Sequence, residues 1–179
     1  SYPAYLFLYS FYFMSTALFT TLISVYLIGR QYSASQVSNL VSTAFFLSML
    51  AQPLFGYINE RFGIVKITTL SLGVLMAGVG GFIWAPNFFW LTIFYGLVLL
   101  CLNGTAPMME ILATQSPYAF GKIRVWGTLG YAAGAHLAGW LYAHLSPQSV
   151  YYCVLVTILL SFFTLGAIRI SKTNRVQKE

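Results

Sequence analysis

Acid is what this sequence has least of. Three of its 179 residues are acidic, Glu60, Glu110 and Glu179, and only Glu110 lies within an apolar run. Hydrolysis by paired carboxylates needs two acids in one site, so that chemistry is excluded within the apolar runs. No His-Glu-x-x-His signature occurs either, and the residues imply no cofactor and no metal. Charge of both signs is scarce, 7% of residues against about 25% in soluble domains. Cys101 and Cys153, the only two cysteines, fall in apolar stretches, so no disulfide framework is indicated. Strand-like alternation of apolar and polar residues is missing, which argues against an outer-membrane barrel. The first apolar run follows Ser1-Tyr2-Pro3 with no basic segment and is too long for a signal peptide, so it reads as an uncleaved helix. An initiator Met is absent too, which suggests a trimmed chain or fragment.

What remains is long apolar sequence. Hydrophobic residues make up 59% and aromatics 18%, with mean hydropathy +0.77. That composition belongs to an all-α integral membrane protein. Six spans are expected, at about 4–28, 37–58, 64–84, 88–113, 122–144 and 150–168. Ser35 is a candidate N-cap for the second, and 59–63 reads as a tight charged turn. Pro53 and Pro107 should bend the second and fourth spans. Two small-residue rows, Gly73/Ala77/Gly81 and Gly130/Gly134/Ala138, suit close helix approach. A basic tail, 169–179, carries Arg169, Lys172, Arg175 and Lys178.

The net charge of +6 follows topology and implies no nucleic-acid partner. With six spans, both ends share one side. Eight of the nine Lys/Arg fall on that side and only Arg30 falls opposite. The excess of positive charge predicts cytoplasmic termini, with the lipid bilayer as solvent. Lys122 fits this role of topology determinant. Spans 1–3 and 4–6 can form two three-helix units of opposite orientation.

One stretch carries the chemistry, 103–131. Asn103, Ala106 and Glu110 share a helical face, and Arg124, Thr128 and Tyr131 repeat the spacing on the next span. An acid stripe facing a basic stripe is what a polar solute site between membrane helices requires. Tyr12, Ser15 and Phe19 form a candidate cavity face on the first span, the alternative being an aromatic surface against lipid. His136 reads as a packing residue before a proton carrier, and His144 as interfacial. The Asn103-Gly104-Thr105 sequon lies inside a span and is discounted.

Two motifs resemble a known family. Residues 52–63, QPLFGYINERFG, resemble the loop 2–3 signature of the major facilitator superfamily, carried by Gly56, Glu60, Arg61, Gly63 and Lys66. Glu60 stands where an Asp is usual, and Val65 where a base is usual. Residues 103–110, NGTAPMME, with 120–124, FGKIR, and 126–131, WGTLGY, resemble spans 4 and 5 of the lactose permease group of oligosaccharide–proton symporters. The resemblance implies the N-terminal six-helix half of such a transporter, residues 1–179, in a bacterial cytoplasmic membrane. It implies that Glu110 and Arg124 hold a sugar and that Tyr131, a Trp in that group, stacks on its ring. Ala106 then faces the sugar, with Asn103 in the same polar cluster. The implied partners are a small-molecule substrate, a proton, and a C-terminal half that the chain lacks, or a second copy in its place. Lactose-permease-like members that carry nucleosides or aromatic acids share the span 5 form, so those solutes are the alternative. A membrane scaffold or sensor that transports nothing is the rival from another class.

Overall fold

The computed structural model describes residues 2–176, with side chains to Ile168. Among the described residues every regular element is helical: α1 (Tyr2–Thr20), α2 (Ile23–Gly29), α3 (Ala34–Phe62), α4 (Ile64–Ile83), α5 (Phe88–Thr114), α6 (Phe120–His144) and α7 (Pro147–Val176). Helices α1 and α2 form one span, interrupted at Thr21 and Leu22. The Thr20 hydroxyl donates back to the Thr16 carbonyl at 2.7 Å, and Thr16 to Tyr12 at 3.2 Å. Such back-bonding competes with the helical ladder and bends it. Five of the six spans are long and apolar enough to cross a membrane. The exception is α6, whose apolar face is interrupted by Lys122, Arg124, Thr128 and His136.

Helix boundaries reach past the hydropathy limits, because backbone hydrogen bonding continues through polar residues. The expected charged turn at 59–63 is the last turn of α3. Gly63, at φ 90° and ψ 141°, is the whole connection to α4, a conformation that favours glycine. The N-cap of α3 is Ser33, not Ser35. Its hydroxyl accepts from the Gln36 N–H at 3.1 Å, and the Gln36 side chain accepts from the Ser33 N–H at 3.0 Å. The Ser-x-x-Gln spacing makes this reciprocal box, and Ser35 falls inside the helix. Helix α7 runs on to Val176 where a tail was expected from Arg169; Lys178 and Glu179 lie outside the described residues. Pro53 and Pro107 sit inside helices that continue past them.

The packing has an internal symmetry. The first span packs on the fifth (α6) and sixth (α7), the fourth (α5) packs on the second (α3) and third (α4), and the third packs on the sixth. Exchanging spans 1–3 with 4–6 returns the same set of contacts, the relation an inverted repeat requires. One end of the bundle is filled by Phe19, Tyr26, Phe82, Tyr95 and Tyr151, with ring centroids 4.6 to 6.3 Å apart.

Glycine decides how closely two pairs of helices meet. Gly130 lies against the Ser10 backbone of α1, and a Cβ at Gly134 would stand 2.6 Å from the Met14 carbonyl oxygen. Ala138, the third member of that row, is also buried. The expected α4 row is different. Gly73 and Ala77 are exposed; Gly78 and Gly81 make the close approach, to Val98 and Phe94 of α5. The two rows differ by register, which periodicity of small residues alone does not set.

Candidate functional site

The site lies at the bundle end opposite the aromatic cluster. Glu110 is about one turn before the end of α5, and Arg124 about one turn after the start of α6. The short connection between them, through Pro117, folds the two helices back so that the turns meet. Arg124 Nη1 donates to Glu110 Oε1 at 3.2 Å, the only ion pair among the described residues. Both side chains are open, 61% and 50% exposed. Wet ion pairs of this kind contribute about 0–1 kcal/mol to stability, so this pair is cheap to break and re-form around a solute. The Arg124 guanidinium also lies 5.8 Å from the centre of the Phe120 ring.

The pair borders a cavity of ≈ 240 Å³ lined by Tyr9, Phe13, Glu110, Arg124, Gly127, Thr128 and Tyr131. The residues are delivered by three helices: α1 supplies two rings, α5 the acid, and α6 the base, a hydroxyl and a third ring. Thr128 Oγ1 donates to the Arg124 carbonyl at 3.4 Å, as expected one turn on. Gly127 admits α1 at this point, since a Cβ there would lie 2.6 Å from Tyr9 Cδ1. Ser10 Oγ donates to the Trp126 carbonyl at 3.0 Å and ties α1 to the same turn of α6.

Four of the residues singled out in the sequence, Glu110, Arg124, Thr128 and Tyr131, therefore meet around one cavity. The others do not line it. Asn103 shares a face with Glu110 but sits about 10 Å further along the axis, where its Nδ2 donates to Ser48 Oγ of α3 at 2.9 Å. Ala106 is half-buried against the core. Tyr12, Ser15 and Phe19 are almost fully buried and do not form a cavity face. The Tyr12 hydroxyl donates to the Leu102 carbonyl, Ser15 to the Tyr12 carbonyl, and Phe19 joins the aromatic cluster. Tyr9 and Phe13, which nothing in the sequence singles out, line the cavity as well. One position along a helix turns the side chain by about 100°, and in a span bearing Tyr9, Phe11, Tyr12 and Phe13 the rings point all round the helix, so they do not fix that angle.

The loop 2–3 residues lie on the same side of the chain's turns but away from this cavity. Gly56 has open space where a Cβ would go, and Glu60 is exposed and unpaired by any base among the described residues. Arg61 and Lys66 both approach the Phe62 ring, at 5.5 and 5.8 Å from its centre. His136 is exposed on α6 outside the cavity lining, and His144 stacks on Trp140.

The signature of the MFS_1 like family matches residues 2–179. The chain belongs to the major facilitator superfamily, in its MFS_1 like family. Among curated relatives, it is 28% identical over 166 residues to the maltose permease of Geobacillus stearothermophilus, covering 86% of this chain and 40% of that permease. It is 27% identical over 160 residues to the sucrose permease of Escherichia coli, covering 82% of this chain and 38% of that one. This MFS_1-like chain thus spans about two-fifths of the length of those relatives. Its family is one of multi-pass membrane transporters, not enzymes.

Proposed function

We propose that this chain is one six-helix half of a proton-coupled sugar transporter, and that the cavity between α1, α5 and α6 is its half of the solute site. One observation carries the reading. An open acid–base pair shares a cavity with a Thr hydroxyl and aromatic rings. The carboxylate accepts from sugar hydroxyls, the guanidinium donates to their oxygens, and Tyr131 gives a flat apolar face for the ring. The permease names of the relatives, for maltose and sucrose, support a disaccharide over a nucleoside or an aromatic acid. At ≈ 240 Å³ the cavity falls short of the roughly 300–1,000 Å³ of a complete small-molecule site. A second six-helix unit facing it would close the site, and the coverage of the relatives favours a C-terminal half of one long chain over a second copy.

In this reading the two units rock about the shared site, and the loop at Gly56–Lys66 controls that motion on the cytoplasmic side. Both termini are cytoplasmic, in a bacterial cytoplasmic membrane, and proton-coupling groups belong to the other half. Counterflow in vesicles bearing the full-length transporter, with sugars, nucleosides and aromatic acids as solutes, tests the solute class. Exchange of maltose or sucrose is expected. Exchange of another class with no sugar exchanged overturns the sugar assignment.

A further inference from the structure

Among the described residues, three buried side-chain polar atoms have no hydrogen-bond partner: Tyr9 Oη, Thr105 Oγ1 and Asn59 Oδ1. Of these only Tyr9 belongs to the wall that carries Glu110 and Arg124. Tyr9 is 2% exposed. An unpaired buried hydroxyl costs free energy, and a fold that merely needed an aromatic ring there would be better served by Phe. Other buried hydroxyls of the same span are satisfied: Tyr12 donates to the Leu102 carbonyl, and Ser15 to the Tyr12 carbonyl.

The ring of Tyr9 is held in place. It fills the space left by the missing side chain of Gly127, and it packs on Phe13 with centroids 5.2 Å apart. It therefore has little freedom to swing away and find a partner elsewhere. Glu110 and Arg124 line the same cavity as Tyr9, yet those two groups are bonded to each other and not to its hydroxyl.

We propose that the Tyr9 hydroxyl is a specificity-determining contact of the solute site, a hydrogen-bond position kept vacant for one hydroxyl of the sugar. This rests on the sugar reading of the same cavity. A phenol both donates and accepts, so it suits a solute hydroxyl, which does the same. Glu110 only accepts and Arg124 only donates, so neither can discriminate in this way. A site built to bond a solute hydroxyl rejects the analogue without it, because the site's own group is then left unpaired. The solute group engages Tyr9 when it parts the Glu110–Arg124 pair.

The test is Tyr9→Phe in the full-length transporter, which removes the oxygen and keeps the ring packing. Two quantities are measured on the purified protein: the melting temperature without solute, and the affinity for maltose, sucrose and their monodeoxy derivatives. The solute-free melting temperature is expected to stay level or rise. Affinity for the sugar is expected to fall about ten-fold, the upper range for one neutral hydrogen bond. One monodeoxy sugar, weak on the wild type, is expected to bind wild type and variant alike. A lower solute-free melting temperature means the hydroxyl has a structural partner and overturns the proposal. So does wild-type affinity in the variant for every sugar. If the wild type binds no sugar, the sugar reading fails by itself. The same comparison on whichever nucleoside or aromatic acid the counterflow panel identifies then decides the role of Tyr9, with an unchanged affinity overturning it.

Discussion

At the residue scale, the informative fact is that the one carboxylate in an apolar run meets Arg124, one of two bases on the next helix, and that both remain wet. A charge placed in a membrane span costs about 2.5–3.5 kcal/mol at the bilayer centre on insertion scales. Both groups lie about one turn from their helix ends and are open to water, so the cost here is smaller, and a pair that contributes at most about 1 kcal/mol to stability leaves them free for the binding role proposed above. Glu110→Gln is therefore expected to change the solute-free melting temperature by no more than about 2–4 °C, because only a weak, exposed pair is lost. Thermal unfolding of the detergent-solubilised variant checks this, and a large drop would make the pair structural. Glu110 and Arg124 were legible in the sequence because charge is rare there and its position is unmistakable. Tyr9 and Phe13 were not. Among so many rings on α1, which ones face a cavity depends on the rotation of the helix, and that is set by Gly127, Gly130 and Gly134 on its neighbour.

At the element scale, all six spans were expected and five of them, all but α6, carry the hydropathy of a membrane span, while the helix ends were not readable. Membrane thickness sets the apolar run, whereas the helix stops only where backbone geometry stops it, as at Gly63. The row Gly130/Gly134/Ala138 was readable and packs on α1, while the row read on α4 was displaced to Gly78 and Gly81. The α1–α6 seam positions the site, since it places Tyr9 and Phe13 against the turn that carries Arg124. Gly130→Ala puts a methyl group into the Ser10 backbone and is expected to destabilise the protein by about 1–3 kcal/mol. Gly139→Ala, where a Cβ meets nothing within 4 Å, is the control. It is expected to be neutral or to stabilise by up to about 1 kcal/mol, the helix-propensity gain. Melting temperatures of the two variants, measured side by side, check the contrast.

At the scale of the whole molecule, the symmetry of the packing and the family assignment agree on an inverted repeat of two three-helix units. The distribution of Lys and Arg predicts cytoplasmic termini. Single cysteines test it in intact cells: at exposed Gln115, between α5 and α6, and at exposed Ser146, between α6 and α7. An impermeant maleimide is expected to label Ser146→Cys and to spare Gln115→Cys, and the reverse pattern would invert the topology. Helix α3 buries only Val37, Leu40, Ala44 and Ser48 along its length. That exposure and the open cavity on α6 suit a second unit better than an isolated bundle. In the proposed function the Glu110–Arg124 cavity holds the transported sugar. Equilibrium binding of maltose and sucrose to the full-length protein, its Glu110→Gln variant and its Arg124→Gln variant tests it most directly. One of these sugars is expected to bind the wild type, and each variant, still inserted and folded, is expected to bind it roughly ten- to a hundred-fold more weakly, the loss of a hydrogen bond to a charged group. Equal affinity in all three proteins would contradict it.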